Sequence, residues 1–313
     1  MNLPQGNPRI PEGINASEEH PLREFGQLVL GIGVLLVLFV FTLSLSVKVL
    51  VAYVPFSWEA RVAPALASAF GDDSKESDAR LLALQGLGHG LVASSLAVPV
   101  GDASAAEVVP PQAFRFHLMD ADMPNAFATL GANIAVTEEL FSHVQSENGL
   151  AMVMAHEIAH VQLRHPIASA SQGIVIQLAL AMLLGGSGDS LLGGLLATGG
   201  TVTLLSFSRD MEREADARAL QILATHYGHL GGADEFFRTM RDGRNEQLWL
   251  EFVQTHPNTD KRVAFIEEAM RSAAGQGDLR PLPAALAHGS TEQSNAAPGA
   301  TAAGAAKATG DDG

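Results

Sequence analysis

Residues 150–163 read LAMVMAHEIAHVQL, an apolar segment that carries two histidines and a glutamate. Because residues four apart share one face of a helix, His156 and His160 can converge on one metal ion. Neutral imidazole nitrogens suit Zn²⁺, and Glu157 can reach a water on that metal. Polar side chains are costly to bury in so apolar a helix unless they gain partners, and a metal supplies them. The segment therefore predicts half of a zinc site.

The helix is predicted to begin near Glu147 and to end by His165, because Pro166 opposes its continuation. The alternative is an ordinary helix that carries two histidines by accident, since five-residue patterns do arise by chance. The apolar flanks favour the metal site over this alternative.

A catalytic zinc needs a third protein ligand and an open position for water. The metzincin pattern requires a glycine at position 163 and a histidine at position 166, where this chain has Leu163 and Pro166, so that class is excluded. His165 is a poor substitute, because five residues beyond His160 a helix has turned well off the ligand face.

A better third ligand lies in residues 208–216, which read SRDMEREAD. Glu212 and Asp216 are four apart and are predicted to project from one side of a second helix. Glu212 would complete the ligand set, and Asp216 would accept the free ring N–H of a ligand histidine. The alternative is that these charged residues form a solvent-exposed face of the helix. We interpret Arg213 and Glu214 in this way.

Four separated motifs together resemble the gluzincin peptidase family that includes the CAAX prenyl endopeptidase, the heat-shock protease HtpX and the periplasmic BepA-type proteases. The motifs are the histidine-glutamate-x-x-histidine helix, the glutamate-x-x-x-aspartate helix entered through serine-arginine, the stretch Asn125-Ala126-Phe127-Ala128, and Thr255-His256-Pro257 followed by Arg262. The resemblance covers roughly residues 80–270 and is specific because the motifs occur in the family's order.

The resemblance implies that His156, His160 and Glu212 bind one zinc ion per chain and that Glu157 is the general base. It also implies that Asn125, Ala126, Phe127 and Ala128 border the cleft and accept an extended peptide by backbone pairing.

In the mechanism that follows, Glu157 takes a proton from a zinc-activated water and later passes it to the leaving amine. The oxyanion needs a second donor, for which the candidates are His256 and then Arg209. Two other roles are possible for His256. It could be a turn histidine at the start of a helix, or a fourth zinc ligand that closes the site at rest.

An N-terminal segment, Leu28–Val47, has 20 residues without a charge, which at 1.5 Å per residue spans about 30 Å and matches a bilayer's hydrocarbon core. A cleaved signal peptide is the rival, but the run is too long and acidic residues precede it. Positive charges flanking the span are tied, so orientation rests on the resemblance. We expect a single-pass anchor in a bacterial inner membrane with a periplasmic catalytic domain.

The chain has a formal net charge of −15, from 19 Lys and Arg against 34 Asp and Glu. This balance argues against a nucleic acid partner and against an electrostatic hold on anionic lipid. The chain has no cysteine and so gives no indication of redox compartment.

We predict an α+β fold: a mainly helical zincin-like metalloprotease domain with a small β-sheet, preceded by one transmembrane helix. Strands are predicted at 114–118 and 133–137 and a helix at 81–96. The apolar, glycine-rich region 174–205 could pack in the core, form a lid or touch the membrane. The predicted organisation is a flexible segment 1–24, an anchor 25–54, a linker 55–79, a peptidase domain 80–275 and a disordered tail 276–313.

The predicted function is membrane-anchored zinc endopeptidase acting on polypeptides, with a role in protein quality control implied by the resemblance. The alternative is a chaperone-like or scaffold protein that retains the zinc site mainly for client binding. The presence of Glu157 favours the enzyme, because a structural metal site has no use for that base.

Overall fold

A computed structural model describes residues 21–51, 53–67, 78–99, 108–171, 207–242, 256, 259–273 and 277–287. Within these ranges the fold is mostly helical with one three-stranded sheet, so the predicted fold class is confirmed. The helices are α1 (Pro21–Val51), α2 (Phe56–Ala67), α3 (Ala79–Ser95), α4 (Glu147–Gln162), α5 (Arg209–Tyr227), α6 (Glu235–Asp242) and α7 (Thr259–Ser272). The strands are β1 (Arg115–Met119), β2 (Ala126–Thr129) and β3 (Asn133–Thr137).

Helix α4 runs through the centre of the core, and every residue from Asn148 to Val161 is buried. Its first turn is capped by Ser146, whose hydroxyl accepts a hydrogen bond from the Gly149 N–H at 3.0 Å. It ends at the turn after Gln162, where Arg164 has a φ of 60°. The observed limits agree with the predicted ones, and the helix packs against α5, α3 and β2.

The sheet has the strand order β1-β3-β2. The central strand β3 is buried throughout. It is parallel to β1 and antiparallel to β2. Within the described residues β2 is therefore an edge strand, and it packs on the metal-motif helix α4. This arrangement places the backbone of residues 126–129 beside His156 and His160.

Helix α1 is long and apolar enough to cross a membrane, with a candidate span at Leu22–Leu43 that is not buried against the rest of the protein. Its apolar side chains are exposed over most of its described length, among them Leu30, Leu35 and Phe41. A continuous apolar surface of this kind is typical of a membrane span or a signal sequence. The structure thus contains one helix that is a candidate for the predicted N-terminal membrane span.

The predicted linker 55–79 is in part a structured element of the catalytic domain. Phe56 of α2 belongs to the main hydrophobic core, and Glu59 is buried. The Glu59 carboxylate lies 2.7 Å from the Arg164 guanidinium, which also donates to the carbonyl of Val54 at 2.9 Å. The linker prediction was wrong for α2, because one helical face carries both the core phenylalanine and the acid that pairs with Arg164.

The predicted tail 276–313 also needs correction at its start. Residues 277–287 pack on the domain: Ser146 and Pro281 form a β-bridge, the Glu147 N–H donates to the Arg280 carbonyl at 2.9 Å, and Leu286 is buried. Backbone hydrogen bonds and a few buried side chains attach this segment to the domain. It therefore does not need the apolar periodicity of a packed helix or strand. Residues 288–313, region 174–205 and most of segment 1–24 lie outside the described residues.

Two glycines of α3 provide a matched test of its packing. A Cβ at Gly88 would come within 2.5 Å of the Phe116 ring, whereas a Cβ at Gly86 would meet nothing within 4 Å. We expect Gly88→Ala to lower the free energy of unfolding by about 1–3 kcal/mol through overpacking. Gly86→Ala should raise it by about 0.5–1 kcal/mol through helix propensity. Urea unfolding of the detergent-solubilised chain measures both, and equal effects would contradict the observed packing.

Candidate metal centre

Four side chains from three parts of the chain converge beside the middle of α4. His156 and His160 come from α4, Glu212 from the first turn of α5, and His256 precedes α7; all four are buried. Each offers one ligand atom, and these atoms lie within 4.8 Å of one another. The structure therefore brings together the three side chains that the sequence nominates as metal ligands and adds His256.

The two imidazoles of α4 face each other through their Nε2 atoms, which are 2.9 Å apart. The Glu212 carboxylate bridges them, with one oxygen 3.4 Å from His156 Nε2 and the other 3.4 Å from His160 Nε2. A buried set of imidazole nitrogens and one carboxylate is the donor chemistry that suits Zn²⁺. The residues present therefore fit such an ion.

His256 contacts the same carboxylate from the other side. Its Nδ1 lies 3.2 Å from Glu212 Oε2, and its Nε2 lies 3.4 Å from the carbonyl oxygen of Ala126 in β2. Without a metal the Glu212 carboxylate favours a proton on Nδ1; with a metal bound, the Ala126 carbonyl can accept from a proton on Nε2, which leaves a lone pair on Nδ1. The lone pair then points towards the ligand set.

The sequence positions Glu212 through local helix signals. The Ser208 hydroxyl accepts from the Met211 N–H and caps α5, so that Glu212 falls in the first turn, where the helix dipole favours a carboxylate. Asp216 lies one turn later on the same face. Its carboxylate is 3.0 Å from His156 Nδ1, which is the contact expected from the spacing.

Arg262 of α7 is the residue that the sequence analysis named without assigning a role. Its guanidinium lies 2.6 Å from the Glu212 carboxylate and makes two hydrogen bonds to Asp216, at 2.7 and 2.8 Å. It is buried and also lies over the Phe237 ring. In the sequence, the one indication that Arg262 belongs to the site is its position six residues after His256. No local feature distinguishes it from an exposed arginine on a helix.

Arg262 explains how two buried carboxylates stay ionised. Burial opposes the charge on Glu212, but His256 and Arg262 outweigh it and hold the pKa of Glu212 below its usual value. For Asp216, burial likewise opposes the charge, and the contacts with Arg262 and His156 lower its pKa. Both carboxylates therefore keep the charge that a cation site needs.

Glu157 is in a different electrostatic position. Burial raises the pKa of Glu157, although the neighbouring His256 and His156 partly oppose the shift. Among the described residues its Oε2 has no hydrogen-bond partner, while Oε1 lies 3.8 Å from His256 Nε2. A buried carboxylate with a raised pKa and a free oxygen beside a metal-ligand set has the properties of a general base.

The remaining predicted site residues fall into two groups. Arg209 is exposed at the start of α5 and lies outside the buried cluster, so the structure does not bring this candidate oxyanion donor to the centre. Asn125 and β2, by contrast, border the centre, with the Ala126 carbonyl next to His256.

Comparison with known proteins gives a consistent result. Residues 97–270, more than half of the chain, match the family described as Peptidase family M48. The chain is 33% identical over 181 residues to the beta-barrel assembly-enhancing protease of Escherichia coli, which covers 54% of this chain and 36% of that protein. It is 31% identical over 183 residues to the protein of the same name from Yersinia pestis, covering 55% and 36%.

A third relative is the mitochondrial metalloendopeptidase OMA1 of Schizosaccharomyces pombe, 33% identical over 167 residues, with 51% of this chain and 48% of the relative covered. The matched part of the chain thus spans between about a third and a half of the length of these relatives. The family match includes every residue of the metal centre described above, from Asn125 to Arg262.

The buried role of Arg262 can be tested against an exposed arginine on the same helix. We expect Arg262→Leu to lower the free energy of unfolding by about 3–5 kcal/mol, because it leaves Glu212 and Asp216 as uncompensated buried charges. Arg271→Leu, which removes an exposed pair with Glu268, should have little effect. Urea unfolding distinguishes the two, and similar stabilities would contradict the described ion pairs.

Proposed function

The chain belongs to peptidase family M48, a family of metal-dependent peptidases, and from this premise we propose that it is a membrane-anchored, zinc-dependent endopeptidase with Glu157 as general base. The observation that carries the proposal is the buried ligand set of His156, His160 and Glu212, with the free Glu157 oxygen beside it. A purely structural metal site would not require that additional carboxylate.

In the proposed mechanism the chain's residues hold the metal and move one proton. A zinc ion held by His156, His160 and Glu212 would supply Lewis-acid polarisation of the peptide carbonyl and would lower the pKa of a water. Glu157 would accept a proton from the attacking water and deliver it to the leaving amine, and burial, which raises its pKa, strengthens it as a proton acceptor. Asp216 fixes the orientation of His156 through its Nδ1.

The edge of β2 is the proposed binding site for the substrate backbone. The Asn125 carbonyl accepts from Thr137 N–H in β3 at 2.9 Å, and successive carbonyls of a strand point to opposite sides. The Ala126 carbonyl therefore points away from β3, and it is the one that His256 contacts. An extended peptide that paired with residues 125–128 would lie directly across the metal centre.

His256 is proposed to close this site at rest. A fourth protein ligand leaves no open position for water, which is the property of a structural rather than a catalytic zinc site. The same ring also lies against the Ala126 carbonyl that the substrate backbone would use. Departure of His256 would open both positions at once, and the displaced ring could then serve the oxyanion as the predicted donor.

The cellular setting is proposed from the anchor and the relatives. Helix α1 fits a single span, and we propose a bacterial inner-membrane location with the catalytic domain in the periplasm and roles in the quality control of polypeptides. The support is the similarity to beta-barrel assembly-enhancing proteases and a mitochondrial metalloendopeptidase. Degradation of the catalytic domain by protease added to spheroplasts measures the orientation, and protection would contradict it.

The assignment of the base is tested by Glu157→Gln in the full-length chain. We expect zinc content to be unchanged and casein hydrolysis to fall by about 10²–10⁴-fold, because the proton acceptor is lost while the ligands remain. Glu139→Gln, remote from the centre, is the control. Undiminished hydrolysis by Glu157→Gln would refute the base. If a chelator leaves wild-type activity unchanged, the zinc mechanism fails. If the zinc-loaded wild-type protein does not cleave casein, client binding becomes the better function.

The same inactive variant also addresses the β2 edge, since it allows a peptide complex to accumulate. A structure with the peptide paired elsewhere would remove the proposed role of residues 125–128.

The resting role of His256 is tested by His256→Ala. We expect zinc to be retained by the other three ligands and casein hydrolysis to rise, by up to about tenfold if the open form is about a tenth of the wild-type population. Single-turnover hydrolysis and zinc content measure the two effects. A large fall in the rate at constant zinc content would instead show that His256 acts chiefly as the oxyanion donor.

A further inference from the structure

The second ring nitrogen of each α4 histidine has a partner, but the two partners differ. His156 Nδ1 lies 3.0 Å from the Asp216 carboxylate. His160 Nδ1 lies 2.9 Å from Nδ1 of another histidine, His165, which is 3% exposed. His165 Nε2 in turn lies 3.4 Å from the Glu214 carboxylate, whose side chain is 60% exposed. His165 and Glu214 are residues that the proposed mechanism does not use.

The direction of this chain of contacts follows from the chemistry of imidazole. If His160 offers its Nε2 lone pair to a metal, its proton must be on Nδ1. That N–H can donate only to a lone pair, so His165 Nδ1 has to be the acceptor. The proton of neutral His165 is then on Nε2, where it faces the Glu214 carboxylate. Glu214 therefore favours the one tautomer of His165 that can receive a hydrogen bond from His160.

The local fold explains how His165 reaches this position. On a continuous helix, a residue five positions beyond His160 would lie well off its face. Helix α4 ends after Gln162, and the positive φ of Arg164 redirects the chain before residue 165. The turn places His165 behind the His160 ring, which Phe207 covers by stacking at 3.8 Å. The ring of His160 is thus confined by a hydrogen bond and by an aromatic face.

We propose that His165 is a positioning residue that fixes the tautomer and orientation of His160, and that Glu214 sets the tautomer of His165. The inference rests on the proposed zinc function. It gives the two ligand imidazoles unequal support, since His156 is held by a buried, Arg262-paired carboxylate and His160 by a neutral ring that leads to the surface. Partners of this kind typically change metal affinity by about 10–100-fold when they are removed.

The test compares His165→Phe with His165→Asn in the full-length chain. Phe keeps a ring but has no acceptor, whereas the Asn Oδ1 can take the place of the His Nδ1 acceptor. We expect His165→Phe to weaken zinc binding by about 10–100-fold in chelator competition and to alter the visible absorption bands of the cobalt-loaded protein. His165→Asn should restore most of the affinity and the wild-type cobalt spectrum.

Glu214 provides a second variant that does not disturb the core. Glu214→Ala should weaken zinc binding in the same direction but less than His165→Phe, because the carboxylate acts only through His165. The controls are His143→Phe and Glu139→Gln, which break a histidine–glutamate contact of 3.6 Å outside the centre and should leave both readouts unchanged.

Unchanged zinc affinity and an unchanged cobalt spectrum in folded His165→Phe would overturn the proposal, as would an equal loss in the Phe and Asn variants. If His165→Phe does not fold, an unaltered affinity and spectrum in Glu214→Ala would overturn it. Failure of the proposed function itself is distinguishable from these results, because it would appear as a wild-type protein that binds no zinc or that does not cleave casein.

Discussion

The structure depends on placing ionisable groups at the centre of an apolar core and satisfying each of them there. Buried charges and imidazoles are costly unless they are paired. Here the pairing is distributed over three helices, because α4 supplies two rings, α5 supplies Glu212 and Asp216, and α7 supplies Arg262. The helices α4, α5 and α7 are therefore held in register by the same contacts that shape the metal centre. Stability and function share one set of interactions.

Two of the three predicted metal ligands and the predicted base came from one local sequence pattern, which is why their closeness in space was predictable. A spacing of four fixes both the side of a helix and the distance between side chains, so the convergence of His156 and His160, and the pairing of Asp216 with His156, follow from periodicity. The limits of α4 and the strands at 115–119 and 133–137 were similarly accessible, because caps, breakers and alternation are local signals.

Long-range pairings were not accessible in the same way. The contact between Glu59 and Arg164 joins residues far apart in the chain, and each alone looks like an ordinary charged surface residue. Arg262 shows the same limitation, since its burial is decided by Asp216 on another helix. Residues 277–287 were missed because backbone pairing with the start of α4 has no compositional signature. His165 is not among the four clustered candidate ligands, but the helix geometry used to exclude it assumed a continuous helix, and the turn that brings its ring behind His160 could not be anticipated.

The turn at Leu163 and Arg164 connects the segment that follows α1 with the candidate metal centre. A non-glycine residue with positive φ costs about 1–3 kcal/mol unless its surroundings hold it, and Arg164 is held by the Glu59 carboxylate and the Val54 carbonyl. The next residue is His165, whose ring contacts His160. The segment that follows α1 is thus linked through Arg164 and His165 to His160, one of the candidate metal ligands. Although the family match begins at residue 97, the physical unit that supports the centre includes α2, because without Glu59 the turn after α4 would carry a buried, unpaired guanidinium.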